Sequence, residues 1–199
     1  HRAGDELDKV KTVYANGQMR ASIIIPNTNS LLIGEIVRAL LMQAESVDSL
    51  EILVVGQDTP GLIPKSGLVH CIPTGQMHAS DKRNLGMREA EGSLFLFLDD
   101  DCIPQADWLR RHCERHAAGE VVVGGAVTFS TWNLLQMADN VSAFHDLLVY
   151  EEAGYVDYLA TANLSVSRAV VEHAPCDCLS RSLSADLEAV SSPLDARCG

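Results

Sequence analysis

Ser93-Leu-Phe-Leu-Phe-Leu-Asp-Asp-Asp-Cys-Ile-Pro104 decides how the rest of the chain is read. The unbroken apolar run from Leu94 to Leu98 is the pattern of a strand buried on both faces of a parallel sheet. Asp99, Asp100 and Asp101 emerge together where that strand ends. Open parallel sheets bind their ligands at this carboxyl edge. Three adjacent carboxylates repel one another and are costly unless solvated or paired with a cation. Oxygen-only ligation suits magnesium or manganese, ions that usually share their coordination with substrate phosphates. The stretch reads either as a metal–diphosphate site or as a solvated acidic loop.

The strands and helices around it follow from hydrophobic periodicity. Ala21-Ser-Ile-Ile-Ile-Pro26 is a β-branched run stopped by proline, a first strand. Asn27-Thr-Asn-Ser30 supplies cap-type residues, and apolar positions 33, 36, 37, 40, 41 and 44 then keep helical spacing. Glu51-Ile-Leu-Val-Val55 is a second strand, residues 56–67 a loop rich in Gly and Pro, and residues 68–72 a third strand. Residues 80–90 read as a capped helix whose small residues Gly86 and Ala90 allow close approach to a sheet. After the acidic strand come a helix over 106–118, a strand over 120–129, a helix over 132–150, a strand over 158–166 and a short helix over 168–173. This alternation implies an α/β fold with a mainly parallel central sheet flanked by helices. Residues 1–20 read as a polar leader, 21–190 as one domain, and 191–199 as a disordered tail.

Composition narrows the function. At 199 residues the chain is long enough for one substantial core. A formal net charge of −12 argues against nucleic acid as a partner, since a phosphate-backbone binder needs clustered Lys and Arg. A nucleotide ligand stays open, because a bound divalent cation inverts the local field. No apolar run approaches the ~18 residues that span a bilayer, so no transmembrane segment is expected. The six cysteines show no paired C-x-x-C spacing and read as reduced thiols of a cytoplasmic protein. Asn140 and Asn163 open N-x-S triplets that read as chance in that setting. His112 and His116 lie four apart on one helix with no third ligand nearby in sequence, and read as an ordinary amphipathic face.

Four motifs in order resemble the family 2 glycosyltransferases, whose catalytic domain has the nucleotide-diphospho-sugar transferase fold called GT-A. They are Ile23-Ile-Ile-Pro-Asn-Thr-Asn29, Glu51-Ile-Leu-Val-Val55, Lys82-Arg-Asn-Leu-Gly-Met-Arg-Glu-Ala-Glu-Gly92, and Leu96-Phe-Leu-Asp-Asp-Asp101 followed by Pro104 and Trp108-Leu109. The resemblance spans roughly residues 20–190. It implies that Asp99 and Asp101 fill the family's D-x-D motif, contacting ribose and a manganese or magnesium ion that bridges the diphosphate. Asp100 would share that work. Pro26 and Asn29 would shape the nucleotide pocket, and Arg83 would approach the nucleotide or its phosphates. Cys176-Asp177 sits where the family has Phe-Asp, so Asp186 is expected as the general base, although Ala185 replaces the Glu that usually precedes it. The family's acidic residue after the second strand is missing. Gly56-Gln57 stands there, with Asp58 next as the candidate to meet the base or ribose. Thr28 replaces an aromatic.

The implied reaction is metal-assisted transfer of a sugar, with inversion, from a nucleoside-diphosphate donor to a saccharide or lipid-linked acceptor. The expected setting is cytoplasmic or peripheral to the inner face of a membrane. Two rivals remain. A nucleotidyltransferase would need a Gly- and Lys-rich phosphate loop after the first strand, where Ile25-Pro26-Asn27 stands. A non-catalytic sugar-nucleotide-binding relative would keep the fold and lose the base.

Overall fold

Ile23, Ile24 and Ile25 are fully buried at the centre of strand β1 (Arg20–Thr28), as β-branched side chains packed on both faces of a sheet should be. The structure is a computed structural model that describes residues 19–129, 154–156, 159–173 and 189–198. The described elements are β1, α1 (Ile33–Leu41), a 3₁₀ turn at Ala44–Ser46, β2 (Ser49–Gln57), β3 (Val69–Pro73), α2 (Ala79–Glu89), β4 (Leu94–Leu98), β5 (Cys102–Pro104), α3 (Trp108–Ala117), β6 (Val122–Phe129), β7 (Gly154–Val156), β8 (Asn163–Ser167), α4 (Arg168–His173) and β9 (Ala189–Cys198). The expected helix over 132–150 lies outside the described residues.

The strands form one sheet in the order β3-β2-β1-β4-β8-β6-β9-β5, with β7 paired to β9. The β3-β2-β1-β4 part is parallel throughout. Beyond β4 the sheet mixes antiparallel pairs with one parallel pair, β6 with β9. From β1 the chain steps to β2 on one side, and it returns through α2 to β4 on the other. Such a reversal of strand order opens a crevice at the carboxyl ends of β1 and β4. All five residues of β4 are buried, as its apolar run requires.

Three details differ from the sequence reading. Strand β1 passes through Pro26 to Thr28 rather than stopping, because proline's fixed φ is compatible with a strand and the only loss is one ladder donor. The expected strand over 158–166 is confined to Asn163–Ser167. Residues of the expected tail belong to β9 and pair with β6, β7 and β5. The reading of six reduced thiols also fails, at Cys102, which is disulfide-bonded, whereas Cys71 and Cys113 are free.

Helix α2 contributes little apolar surface and is seated by a glycine instead. A Cβ at Gly86 would lie 2.5 Å from Ile24 Cγ2 and 3.3 Å from Val55 Cγ2, so the helix backbone rests directly on β1 and β2. That close seat puts Lys82 and Arg83, one turn earlier, over the strand ends. Helix α3 packs through Trp108, Leu109, His112, Cys113 and His116, all buried.

The two histidines of α3 lie on the buried face of this amphipathic helix, inside a polar network. His112 Nε2 and Trp108 Nε1 approach Asn163 Oδ1 at 3.0 and 2.7 Å, and Asn163 Nδ2 donates to the Ala126 carbonyl at 2.9 Å. Ser165 Oγ lies 2.7 Å from His112 Nδ1 and 2.7 Å from His116 Nε2. The acceptor at Asn163 Oδ1 assigns the proton of His112 to Nε2, leaving Nδ1 to accept from Ser165. Asn163, 1% exposed and bonded on both sides, is closed to any modification at its N-x-S triplet in the folded state.

Burial lowers His112 to a pKa of about 4 and His116 to about 3. Both are therefore neutral in the folded chain at pH 5, while an unfolded histidine, near 6.5, is charged. The unfolded state then binds more protons, so stability falls as pH drops below 6.5, by about 2 kcal/mol per histidine at pH 5. Urea unfolding at pH 7.5, 6.0 and 5.0 should show a progressively lower midpoint. An unchanged midpoint would contradict the neutral assignment.

Candidate active site

The carboxyl ends of β1 and β4 meet through one residue. Thr28 donates its backbone N–H to Asp100 Oδ2 at 2.8 Å, and Ser30 Oγ donates to the Asp100 carbonyl. The acid triplet itself turns sharply, with Cys102 N bonded to the Asp99 carbonyl at 3.1 Å. Asp99 forms an ion pair with Arg83 of α2, in which the Arg83 side chain is 15% exposed and the Asp99 side chain 32%. Arg83 Nε is buried and has no hydrogen-bond partner among the described residues.

The carboxyls of Asp100 and Asp101 are both held above their ordinary range. For Asp100, desolvation is the largest cause and the Asp99 charge adds to it, against the Thr28 amide and the Lys82 charge. For Asp101, partial burial comes first, then the charges of Asp99 and Asp100. Asp101 is the most open of the three and has no cationic side chain paired with it among the described residues. Both shifts follow first from desolvation and then from negative charge crowded into one turn.

The β2 end is fastened to the β1 end. Asn27 Nδ2 donates to the Gln57 carbonyl at 2.6 Å, and Asn29 N donates to the same oxygen at 2.9 Å. Asn29 has φ 57°, a left-handed conformation that asparagine tolerates better than most residues. Its Oδ1 accepts from Thr59 N at 2.8 Å. Asn29 is therefore not a helix cap. The residue before α1 is Leu32, which makes no side-chain cap bond. Asp58 turns its carboxylate onto its own loop, accepting from Leu62 N and Ile63 N at 3.0 Å each. Each of its oxygens keeps an acceptor site beyond those bonds. Pro26 is buried within β1, two residues from Thr28.

Asp99, Asp100, Asp101, Arg83 and Asn29 thus cluster at one edge with Pro26 behind them, while Asp186 lies outside the described residues. The sequence reading missed Lys82, Thr28 and Ser30 as parts of the site. Lys82 Nζ donates to the Asn27 carbonyl at 2.7 Å and to Thr28 Oγ1 at 2.6 Å, beneath the same junction. Its position next to Arg83 on the α2 motif was the available signal. The absence of an acid at position 56 is also explained. Gly56 has φ 141°, and a Cβ there would lie 1.8 Å from the Asn27 carbonyl oxygen and 3.1 Å from Lys82 Nζ.

Residues 22–171 match the family model described as Glycosyl transferase family 2. The chain belongs to that family. Among its curated relatives is glycosyltransferase AglE of Haloferax volcanii, 30% identical over 162 residues, 76% of this chain and 53% of AglE. The chain thus spans about half the length of that relative. Solved structures with this GT-A fold include Staphylococcus aureus TarS 1-349, with TM-score 0.62, 14% identity and coverage of 90% of this chain and 60% of that one. A second is Mycobacterium tuberculosis glucosyl-3-phosphoglycerate synthase in complex with Mn2+ and uridine-diphosphate-glucose. It has TM-score 0.55, 14% identity and coverage of 85% and 62%. At these identities the likeness carries the fold alone.

Gly56→Asp restores the family's usual acid to a position with no room for it. The clash is with backbone, and an L side chain is strained at this φ, so the expected loss is about 3 kcal/mol. For a chain of this size that lowers the melting temperature by about 6–12 °C. A melting temperature unchanged from the parent would contradict the packing of Gly56 against Asn27 and Lys82.

Proposed function

We propose that this chain catalyses transfer of a sugar from a nucleoside-diphosphate donor to an acceptor hydroxyl of a saccharide or lipid-linked molecule, with inversion and with help from manganese or magnesium. The observation that carries the reading is the convergence of Asp99, Asp100, Asp101 and Arg83 at the β1–β4 crevice. Support for the donor class comes from the solved relative bound to Mn2+ and uridine-diphosphate-glucose, and from TarS in complex with UDP-GlcNAc.

The donor set suits a hard divalent ion. Among the described residues no three His, Cys, Asp or Glu side chains form a ready metal cage. Magnesium-type sites commonly use only one or two carboxylates and complete their shell with phosphate and water oxygens. Asp101 and Asp99 are the proposed ligands. The ion, when bound, supplies charge neutralisation for the departing diphosphate.

The side chains have separate tasks. Arg83, on leaving Asp99, offers a planar fork of donors to a phosphate. The Thr28 amide and the Ser30 hydroxyl hold Asp100 at the crevice, beside the proposed ribose position. Pro26 and Asn29 form the wall behind the nucleotide, and Asp58 stiffens the loop beside it. The proposed general base is Asp186, which takes the proton of the acceptor hydroxyl as it attacks, worth roughly 100- to 10,000-fold. A single displacement with base and leaving group on opposite faces inverts the anomeric carbon.

Asp101→Ala should abolish release of nucleoside diphosphate from the donor. The loss should exceed the roughly 10- to 100-fold that removing an outer partner of a metal site costs. Full retained activity would refute the metal assignment. Release of pyrophosphate instead of nucleoside diphosphate by the parent chain would assign it to nucleotidyl transfer.

A further inference from the structure

Lys82 is a buried cation without a buried anion beside it. The residue is 2% exposed, and the two bonds of its ammonium go to neutral oxygens, the Asn27 carbonyl and Thr28 Oγ1. No carboxylate lies within ion-pair distance of it among the described residues. An ammonium removed from water in this way is costly unless some negative charge compensates. The nearest compensation passes through Thr28, whose hydroxyl accepts from Lys82 and whose backbone N–H binds Asp100. Burial pulls the Lys82 ammonium down from its ordinary range, and the Asp100 charge pushes it back up.

We propose that Lys82 is a positioning residue for the nucleotide site, a built-in counter-charge beneath the acid triplet that tempers metal binding and favours the anionic diphosphate. The inference rests on the sugar-nucleotide reading above. With Lys82 and Arg83 present, three carboxylates face two cations, and the local charge is one unit negative. One divalent ion then turns the site one unit positive, which suits a diphosphate. Without the Lys82 charge, the empty site is two units negative and the metal-loaded site is neutral. The ion should bind more tightly and the nucleotide more weakly. A residue that merely fills space would, on removal, weaken both.

The geometry explains why this charge sits where it does. Gly56 leaves no Cβ in the way, and the close seat of Gly86 brings α2 near enough for Lys82 to reach the β1 end. Lys82 does not touch the proposed metal ligands, so its influence runs through charge and through the position of Thr28.

Isothermal titration separates the outcomes, using the parent chain, Lys82→Met, Lys82→Gln and Lys82→Arg. The probes are Mn2+ alone, then UDP, GDP, ADP, CDP and dTDP in saturating Mn2+. For Lys82→Met and Lys82→Gln, Mn2+ alone should bind roughly 3- to 30-fold more tightly and the preferred nucleotide roughly 3- to 30-fold more weakly, the scale expected for one unit charge several ångströms away. Lys82→Arg, which keeps the charge, should stay near the parent for both. Weakening of both ligands, or no change in either, would overturn the proposal. Failure of both Lys82→Met and Lys82→Gln to melt cooperatively would make Lys82 a packing residue and would overturn it too. If the parent chain binds none of the nucleotides, the sugar-nucleotide reading itself fails.

Discussion

Three carboxylates on consecutive residues constrain the whole carboxyl edge of this sheet. They leave β4 within a single turn, so repulsion among them must be offset by whatever the neighbouring elements bring. β1 brings the Thr28 amide to Asp100, α2 brings Arg83 to Asp99, and Lys82 adds a second positive charge one layer below. Asp101 is left without a cationic side chain among the described residues. The edge is therefore an anionic centre with two of its three charges attended. The residual negative charge is what an entering divalent ion would offset, by less than if no cation stood nearby.

The scaffold makes that arrangement stiff rather than adjustable. Gly86 seats α2 on Ile24 and Val55 with no slack, and Gly56 admits no side chain between β2, Asn27 and Lys82. Asn29 takes the left-handed turn that lets one side chain brace the loop after β2, while Asp58 ties that loop to itself. On the far side, the buried Trp108–Asn163–His112–Ser165–His116 network clamps α3 to β8 and β6. Each is a close contact, and those at Gly86, Gly56, Asn29 and Asp58 set the positions of the strand ends that border the crevice.

Much of this was legible in the residues. The apolar run ending in three acids marked β4 and its carboxyl edge, and the four-residue spacing of Gly86 and Ala90 marked a helix lying close on a sheet. The alternation of strands and helices was enough for the parallel part. What escaped the reading depends on contacts between distant residues. Nothing local says that Asp58 folds back onto Leu62 and Ile63, or that Lys82 reaches 54 residues back to Thr28. The burial of His112 and His116 escaped for a related reason. Four-residue spacing says that two side chains share a helix face, but not whether that face meets water or a serine of another strand. The short β5 and the pairing of β9 were hidden because neither carries a strand-like run of its own.

Membership in glycosyl transferase family 2 accounts for the fold and the order of the motifs, and Gly56 leaves the room in which Lys82 bonds to Asn27 and Thr28. The most direct test of the central claim is anomalous scattering from crystals grown with Mn2+ and a nucleoside diphosphate. The account predicts a manganese peak in coordination with a carboxylate oxygen of Asp101 or Asp99 and with the diphosphate, in the crevice between the ends of β1 and β4. Manganese and nucleotide bound elsewhere, with the three carboxylates facing solvent, would contradict it.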